Sequence, residues 1–140
     1  MKISLVVVGK TQDPNVAALV ADYSSRIDRY SGFDIVETTD DKLMKNLEKY
    51  DRIFLLDEKG RAYRSVEFAD FIQKQLNAGI RSAVFVVGGP FGFSDEVRAL
   101  ADGSIALSSM TFPHDLVRAI FLEQLYRAFT ILRNEKYHHE

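Results

Sequence analysis

The sequence predicts an α/β fold: a mostly parallel sheet flanked by helices, in one domain covering residues 1–140. Three observations carry this. Short, continuous, β-branched apolar runs recur along the chain, as expected of strands covered on both faces. Segments with apolar residues at helical spacing separate them. The chain has 140 residues, 46% hydrophobic and 27% charged, with 8 Gly and 3 Pro. That suits one core, and no Pro/Gly-rich linker divides it.

The first run, Ile3–Val8, reads as a buried strand. Asp13-Pro14 then marks a helix start, with Asp as cap and Pro in the first turn. Val16, Leu19, Val20, Tyr23, Ile27 and Tyr30 follow at helical spacing, and Gly32 closes that helix. Phe33–Glu37 is a second strand, Asp40–Tyr50 a short polar helix, and Arg52–Leu56 a third strand. Asp57–Arg64 reads as a charged loop. Ser65 is placed to cap a helix carrying Phe68, Ala69, Ile72 and Leu76, closed by Gly79. Ala83–Val87 is a fourth strand, and Gly88–Gly92 must turn tightly. Ser94 opens a short helix with Asp95 and Glu96 at its positive end. Ile105–Leu107 is a brief fifth strand and Ser108–Pro113 a loop, with Thr111 read as a helix cap. The longest helix runs from His114 to Arg133, and its wide apolar face belongs in the core or against a partner.

Composition excludes several chemistries. With no cysteine, disulfides, thiolate zinc sites, iron–sulfur clusters and cysteine nucleophiles are out. A formal net charge of −2 argues against coating nucleic acid by bulk positive charge, though not against a local patch. No apolar run is long enough to span a bilayer, and the N-terminus lacks a signal-peptide pattern. A cytoplasmic protein is expected. Neither G-x-G-x-x-G nor G-x-x-x-x-G-K-[ST] occurs, so nicotinamide binding and P-loop hydrolysis lose their usual support.

In parallel sheets, ligands bind beyond the carboxyl ends of strands. Three loops qualify: Asp57–Arg64, Gly88–Phe93 and Ser108–Pro113. In the second, adjacent glycines permit positive φ or close backbone approach to a ligand, or simply a turn. Asp57 sits at a strand's carboxyl end. Lys59, Arg61 and Arg64 form a local positive patch suited to phosphates, with Tyr63 available to stack on a base. All three histidines, His114, His138 and His139, lie near the C-terminus. His138 and His139 are adjacent and point apart on an extended chain, so no metal site is expected. Arg118 and Arg127 on the last helix are surface charges, or reach a partner subunit or a phosphate.

Taken in order, several segments resemble one family along the whole chain. They are Leu56-Asp57-x-x-Gly60, Gly88-Gly89-Pro90-x-Gly92, Leu107-Ser108 through Thr111-Phe112-Pro113-His114, Leu116-Val117-Arg118, Glu123–Ala128 and the terminal Tyr137-His138. The chain resembles the ribosomal RNA large subunit methyltransferase H family, of the SPOUT class. That resemblance implies methyl transfer from S-adenosylmethionine, without a metal, to N3 of a pseudouridine. The implied target lies in helix 69 of 23S rRNA, within the assembled ribosome. It also implies a homodimer and a C-terminal trefoil knot, which the pattern of elements alone does not reveal. Carried over, the cofactor site comprises Leu56, Asp57, Gly88, Gly89, Ser108, Ser109, Met110, Thr111, Phe112 and Pro113. His138, helped by Tyr137, is the candidate to orient or deprotonate the target base. Lys59, Arg61, Arg64, Arg118, Arg127 and His139 are candidates for RNA contact. Members commonly carry Arg or Lys where this chain has His139, a weaker phosphate ligand at pH 7. Two alternatives stand beside this: a SPOUT-type enzyme acting on tRNA, and a non-enzymatic nucleotide-binding α/β dimer.

Overall fold

Five parallel strands form one sheet in the order β2-β1-β4-β3-β5 in this computed structural model, which describes residues 1–139. The strands are β1 (Lys2–Val8), β2 (Phe33–Thr38), β3 (Arg52–Ala62), β4 (Ser82–Val87) and β5 (Gly103–Ala106). The helices are α1 (Pro14–Ile27), α2 (Asp40–Leu47), α3 (Ser65–Asn77), α4 (Asp95–Leu100) and α5 (His114–Leu132).

Alternation along the strands builds two cores. Leu5, Val7, Phe85, Val87 and Phe54 face one way and pack on Phe68, Ile72, Phe121, Leu122 and Leu125 of α3 and α5. Val6, Val84, Val86, Ile53 and Leu55 face the other way, onto Leu43, Leu47 and Val97 of α2 and α4. Both faces of the sheet are therefore covered, which explains the unbroken apolar runs. α5 lies between α1 and α3, so its apolar face belongs to the core.

Caps follow the sequence at two helices. Asp13 accepts hydrogen bonds from the backbone N–H groups of Asn15 (2.8 Å) and Val16 (3.3 Å), with Pro14 at the first helical position. Ser94 accepts from Val97 N–H at 3.2 Å. Ser65 does not cap α3. Arg64 holds the cap position, and its N–H donates to the Glu67 carboxylate at 2.7 Å. The Ser65 hydroxyl is thereby released to donate to Gln124 Oε1 on α5 at 2.8 Å.

Several boundaries differ from expectation. α1 ends at Ile27, where Tyr30 and Ser31 N–H fold back onto the Ile27 carbonyl, before Gly32 is reached. α2 stops at Leu47, short of Tyr50, and β5 begins and ends earlier than its apolar core. The main departure is Asp57–Arg64. Most of this segment is strand, because β3 continues through a bulge after Leu56 and pairs again with β5. Arg61 registers with Ile105 and Ala62 with Ala106. A residue with no side chain is needed at the crossing: a Cβ on Gly60 would lie 2.6 Å from the Ser104 carbonyl carbon. The charges of this segment hid it, since a bulged edge exposes its side chains while its backbone stays paired.

Candidate active site at the carboxyl ends of β3, β4 and β5

The three loops do meet. A cavity of about 270 Å³ opens at the carboxyl ends of β3, β4 and β5. Leu56, Asp57, Gly88, Gly89, Ser108, Met110, Thr111 and Phe112 all line it. Ser109 and Pro113 belong to the same segment but not to the lining. The loop after β4 is held by a bridge between Gly89 and Gly92, and Gly92 has φ 72°, a conformation glycine adopts without strain.

Glu58 and Phe93, from two of the expected loops, also line it, and residues outside those loops complete the walls: Val87, Arg98, Ile105, Leu107, His114 and Val117. Phe93 lies so close to Gly88 that a Cβ there would meet the ring at 3.0 Å. Arg98 on α4 forms an ion pair with Asp57 (2.8 Å), whose side chain is only 12% exposed. The other Asp57 oxygen accepts the Lys59 N–H at 3.1 Å. Burial pushes the Asp57 carboxyl up, but the Lys59 N–H and the Arg98 guanidinium outweigh it and hold the group below its ordinary value. No periodic signal in the sequence could pair Asp57 with Arg98. Thr111 does not cap α5; its hydroxyl donates to Glu58 Oε2 at 2.6 Å and ties two lips of the cavity together. Pro113 holds the cap position instead.

Room and chemistry suit S-adenosylmethionine. Leu56, Val87, Ile105, Leu107, Met110 and Phe112 give an apolar wall, while backbone groups of the three loops give polar edges. The Asp57–Arg98 pair brings fixed charge of both signs to the same wall. Among the described residues, no group of three His, Asp or Glu side chains is placed to hold a metal ion, and no helix is long and apolar enough to cross a membrane.

The candidate RNA and catalytic residues are spread over the molecule. Lys59, Arg61 and Arg64 are exposed beside the β3 bulge, with the Arg61 guanidinium over the Tyr63 ring at 4.8 Å. Arg118 is not available to phosphate. It is 1% exposed and donates to the Val8 carbonyl (3.1 Å), Thr11 Oγ1 (3.0 Å) and the His114 carbonyl (3.2 Å). Burial draws its guanidinium below the ordinary value. Its place is structural, clamping α5 to the end of β1. Asp115 does the same from the surface, accepting the Gln12 and Asp13 N–H groups at 2.8 Å each. A second cavity of about 370 Å³ lies beside Arg118 and shares no lining residue with the first.

The tail folds back along α5. Asn134 turns the chain at φ 55°, and Glu135 N–H caps the Thr130 carbonyl at 2.9 Å. The Tyr137 ring packs edge-on against Tyr126, with centroids 4.7 Å apart, and its hydroxyl donates to Glu123 at 2.8 Å. Burial, then that bond, push the Tyr137 phenol up. His138 Nδ1 lies 3.1 Å from Arg127 Nη1. His139 is exposed. Arg127 lies ten residues past Val117 and thirteen past His114, the two helix residues that line the cavity. At 1.5 Å per residue this is about 15–20 Å along the axis. One chain therefore does not bring His138 and the cavity together.

Comparison with known proteins identifies the family and the fold. A family model described as "Predicted SPOUT methyltransferase" matches residues 1–138. The ribosomal RNA large subunit methyltransferase H of Flavobacterium psychrophilum is 45% identical, with all of both chains covered. That of Trichlorobacter lovleyi is 44% identical over 99% of this chain and 100% of its own. Among solved structures, the SpoU methyltransferase AviRb of Streptomyces viridochromogenes, in complex with the cofactor AdoMet, superposes with a TM-score of 0.54 at 12% identity. A probable methylase family protein of Haemophilus influenzae superposes at 0.59 with 11% identity. The matches cover 89% and 94% of this chain but 56% and 66% of those longer proteins, and they speak to the fold alone. The full-length matches place the chain in the SPOUT methyltransferases, as a member of the ribosomal RNA large subunit methyltransferase H family.

Proposed function

We propose that the chain transfers a methyl group from S-adenosylmethionine to N3 of a pseudouridine in helix 69 of 23S rRNA (pseudouridine-1915), on the assembled ribosome. The observation that carries the reading is the meeting of three strand-end loops, Leu56–Glu58, Gly88–Phe93 and Leu107–Phe112, in one cavity. S-adenosylmethionine bound there supplies a methyl on a sulfonium, so the protein's main task is alignment. Gly88 and Gly89 let the β4 loop approach the ligand as bare backbone. Leu56, Met110 and Phe112 keep water from its apolar parts. Asp57, fixed by Arg98, offers a carboxylate to positive charge.

A homodimer belongs to the same reading. The tail lies too far along α5 to serve its own cavity, which supports delivery of Tyr137 and His138 to the cavity of a second copy. Leu19 on α1 and Leu116 on α5 are exposed large apolar residues that such a partner would cover. The C-terminal trefoil knot is part of the proposal too; the contact of Thr111 with Glu58, beyond the β3–β5 pairing, supports it. Action on ribosomes implies a cytoplasmic protein.

The test is transfer of labelled methyl to intact ribosomes, separated subunits, free 23S rRNA and tRNA from cells lacking this protein. Label on ribosomes is expected. Label on tRNA alone would overturn the substrate, and saturable cofactor binding with no transfer to any RNA would favour the binding module. Removal of residues 137–140 is expected to abolish transfer and leave cofactor affinity near wild type; intact turnover in that truncation would remove the tail from the site.

A further inference from the structure

We infer that the second cavity seats the acceptor base, and that Glu37 tells a pseudouridine from a uridine there. This cavity, about 370 Å³, lies between β1, β2, α1 and α5. Buried Leu5 and Val7 and half-buried Val20 and Ile35 give it apolar sides. Three polar groups stand among them: exposed Lys10 and Glu37, and the hydroxyl of Thr11. The side chains of Lys10 and Glu37 make no hydrogen bond or ion pair among the described residues. Thr11 is held by Arg118, whose Nη1 donates to its Oγ1 at 3.0 Å while Nη2 and Nε bind the Val8 and His114 carbonyls. That bond uses a lone pair of Thr11 and leaves its hydroxyl proton to donate. The cavity therefore offers two uncommitted donors and one uncommitted acceptor.

The charges choose the ligand. An anion would meet Glu37, and a cation would meet Lys10 with Arg118 behind it. A neutral planar group with a donor beside an acceptor meets neither penalty, and its faces suit Val20 and Ile35. In pseudouridine the sugar is joined to C5, so N1 keeps its hydrogen next to the C2 carbonyl. N1–H can donate to Glu37 while Lys10 and Thr11 donate to the C2 oxygen. N3, on the far side of that carbonyl, is left to the methyl donor. In uridine N1 carries the sugar, and Glu37 would face a base with no proton to give it.

This deepens the proposed methyl transfer and rests on it. When the N3 proton leaves to water, charge spreads onto the two flanking carbonyl oxygens, and Lys10 stabilises it. The N3–carbon bond then forms as the sulfur–carbon bond breaks, and that electron pair stays on sulfur. The methyl comes from the cofactor cavity of a second copy. Within one chain α5 stands between the cavities: Val117 lines the first, and Arg118, about 100° round the helix, lines the second. Leu19, next to Val20, and Leu116, two residues before Arg118, are exposed apolar groups that such a copy would cover. Arg118 is a positioning residue in this scheme, since it acts through Thr11.

Single-turnover transfer by the full-length protein to two ribosome preparations tests it. One comes from cells lacking this protein, with pseudouridine at the target. The other comes from cells that also lack the enzyme isomerising that uridine. The wild type should favour pseudouridine by about fiftyfold, the scale of one hydrogen bond to a charged group. Glu37→Met should lose that preference to within about twofold, by slowing on pseudouridine and not on uridine. Glu37→Gln, whose amide oxygen still accepts, should keep about a fivefold preference. Lys10→Met should slow both substrates alike, by about tenfold, since both bases carry the C2 carbonyl. Calorimetric titration with S-adenosylmethionine should leave every variant near wild-type affinity, because the two cavities share no residue. Should Glu37→Met fail to bind the cofactor, the near-isosteric Glu37→Gln decides, and an undiminished preference in it overturns the inference. If the wild type shows no preference, or Glu37→Met keeps it or slows both substrates equally, the inference fails while the methyl-transfer reading stands. The inference also fails if Lys10→Met slows pseudouridine alone. If the wild type transfers methyl to neither preparation, the methyl-transfer reading itself fails and takes the inference with it.

Discussion

Replacing Gly60 by alanine attacks the joint on which the cavity wall depends. The new Cβ would sit 2.6 Å from the Ser104 carbonyl carbon and 2.7 Å from Ile105 N and Ser104 O. Ordinary contact begins at 3.4 Å, so β3 and β5 must part by about 0.8 Å, the difference between the two values. No rotamer change relieves this, because the obstacles are backbone atoms. Overpacking of this kind costs about 1–3 kcal/mol. Weakening the second stretch of pairing, at Arg61 and Ala62, adds about 1 kcal/mol for each hydrogen bond lost. A total near 3 kcal/mol, in a domain of this size, corresponds to a fall in Tm of about 10 °C. Ile105 and Leu107 line the cavity, so cofactor affinity should fall as well, by about tenfold. The control is Gly103→Ala on the same strand pair. Its Cβ meets only Phe54 Cδ1, at 3.7 Å, and it should stay within about 1 kcal/mol of wild type. Thermal unfolding and calorimetric titration with S-adenosylmethionine read both effects. If the two variants melt within about 2 °C of each other, the bulge does not seat β5 and the reasoning is wrong.

Other expectations follow from the same contacts. Arg118→Met should destabilise the fold by about 2–4 kcal/mol in urea unfolding, because it leaves the half-buried Val8 carbonyl without its donor and removes a clamp on α5. Asp57→Asn should be less stable than wild type at neutral pH. Asp57 titrates below its ordinary value in the folded protein, so the wild-type advantage is full above about pH 4 and fades as pH falls through the folded-state pKa; paired denaturant midpoints across acid pH check the sign. A chain with net charge −2 should bind naked 23S rRNA weakly, with affinity falling steeply as salt rises, and filter binding at several ionic strengths measures the slope.

How far the sequence could be read depended on the kind of contact. Ile3–Val8 and Ala83–Val87 were legible as strands because both faces are buried and their side chains say so. Asp13-Pro14 and Ser94 were legible because a cap is a local bond. The extension of β3 through Asp57–Ala62 was not, since its pairing runs through backbone while its side chains are charged and mostly exposed. The three loops were legible one at a time, and their meeting required the order of β4, β3 and β5. Arg118 was read as a surface charge, or as a contact to a partner subunit or a phosphate, and its burial was not foreseen: helical spacing does not say that one face of α5 ends on the Val8 carbonyl. The ion pair of Asp57 with Arg98 and the bond of Thr111 with Glu58 join residues 41 and 53 apart, beyond any local pattern. His138 was legible as unusual, yet its partner Arg127 emerges only once the tail turns back at Asn134.

The placement of α5 also bears on how the protein is made. Every strand lies within the first 106 residues, so all five can be synthesised before His114 leaves the ribosome. Until Phe121, Leu122 and Leu125 arrive, however, one sheet face, including Leu5, Val7 and Phe85, is covered only in part, by α1 and by Phe68 and Ile72 of α3. A nascent chain at that stage is a nearly finished sheet with a bare apolar stripe, the state most open to misassembly and most in need of a chaperone. The last quarter of the chain is then the part that makes the rest soluble, and a ribosome stalled near the end would hold a chain with its strands made and its core only partly covered.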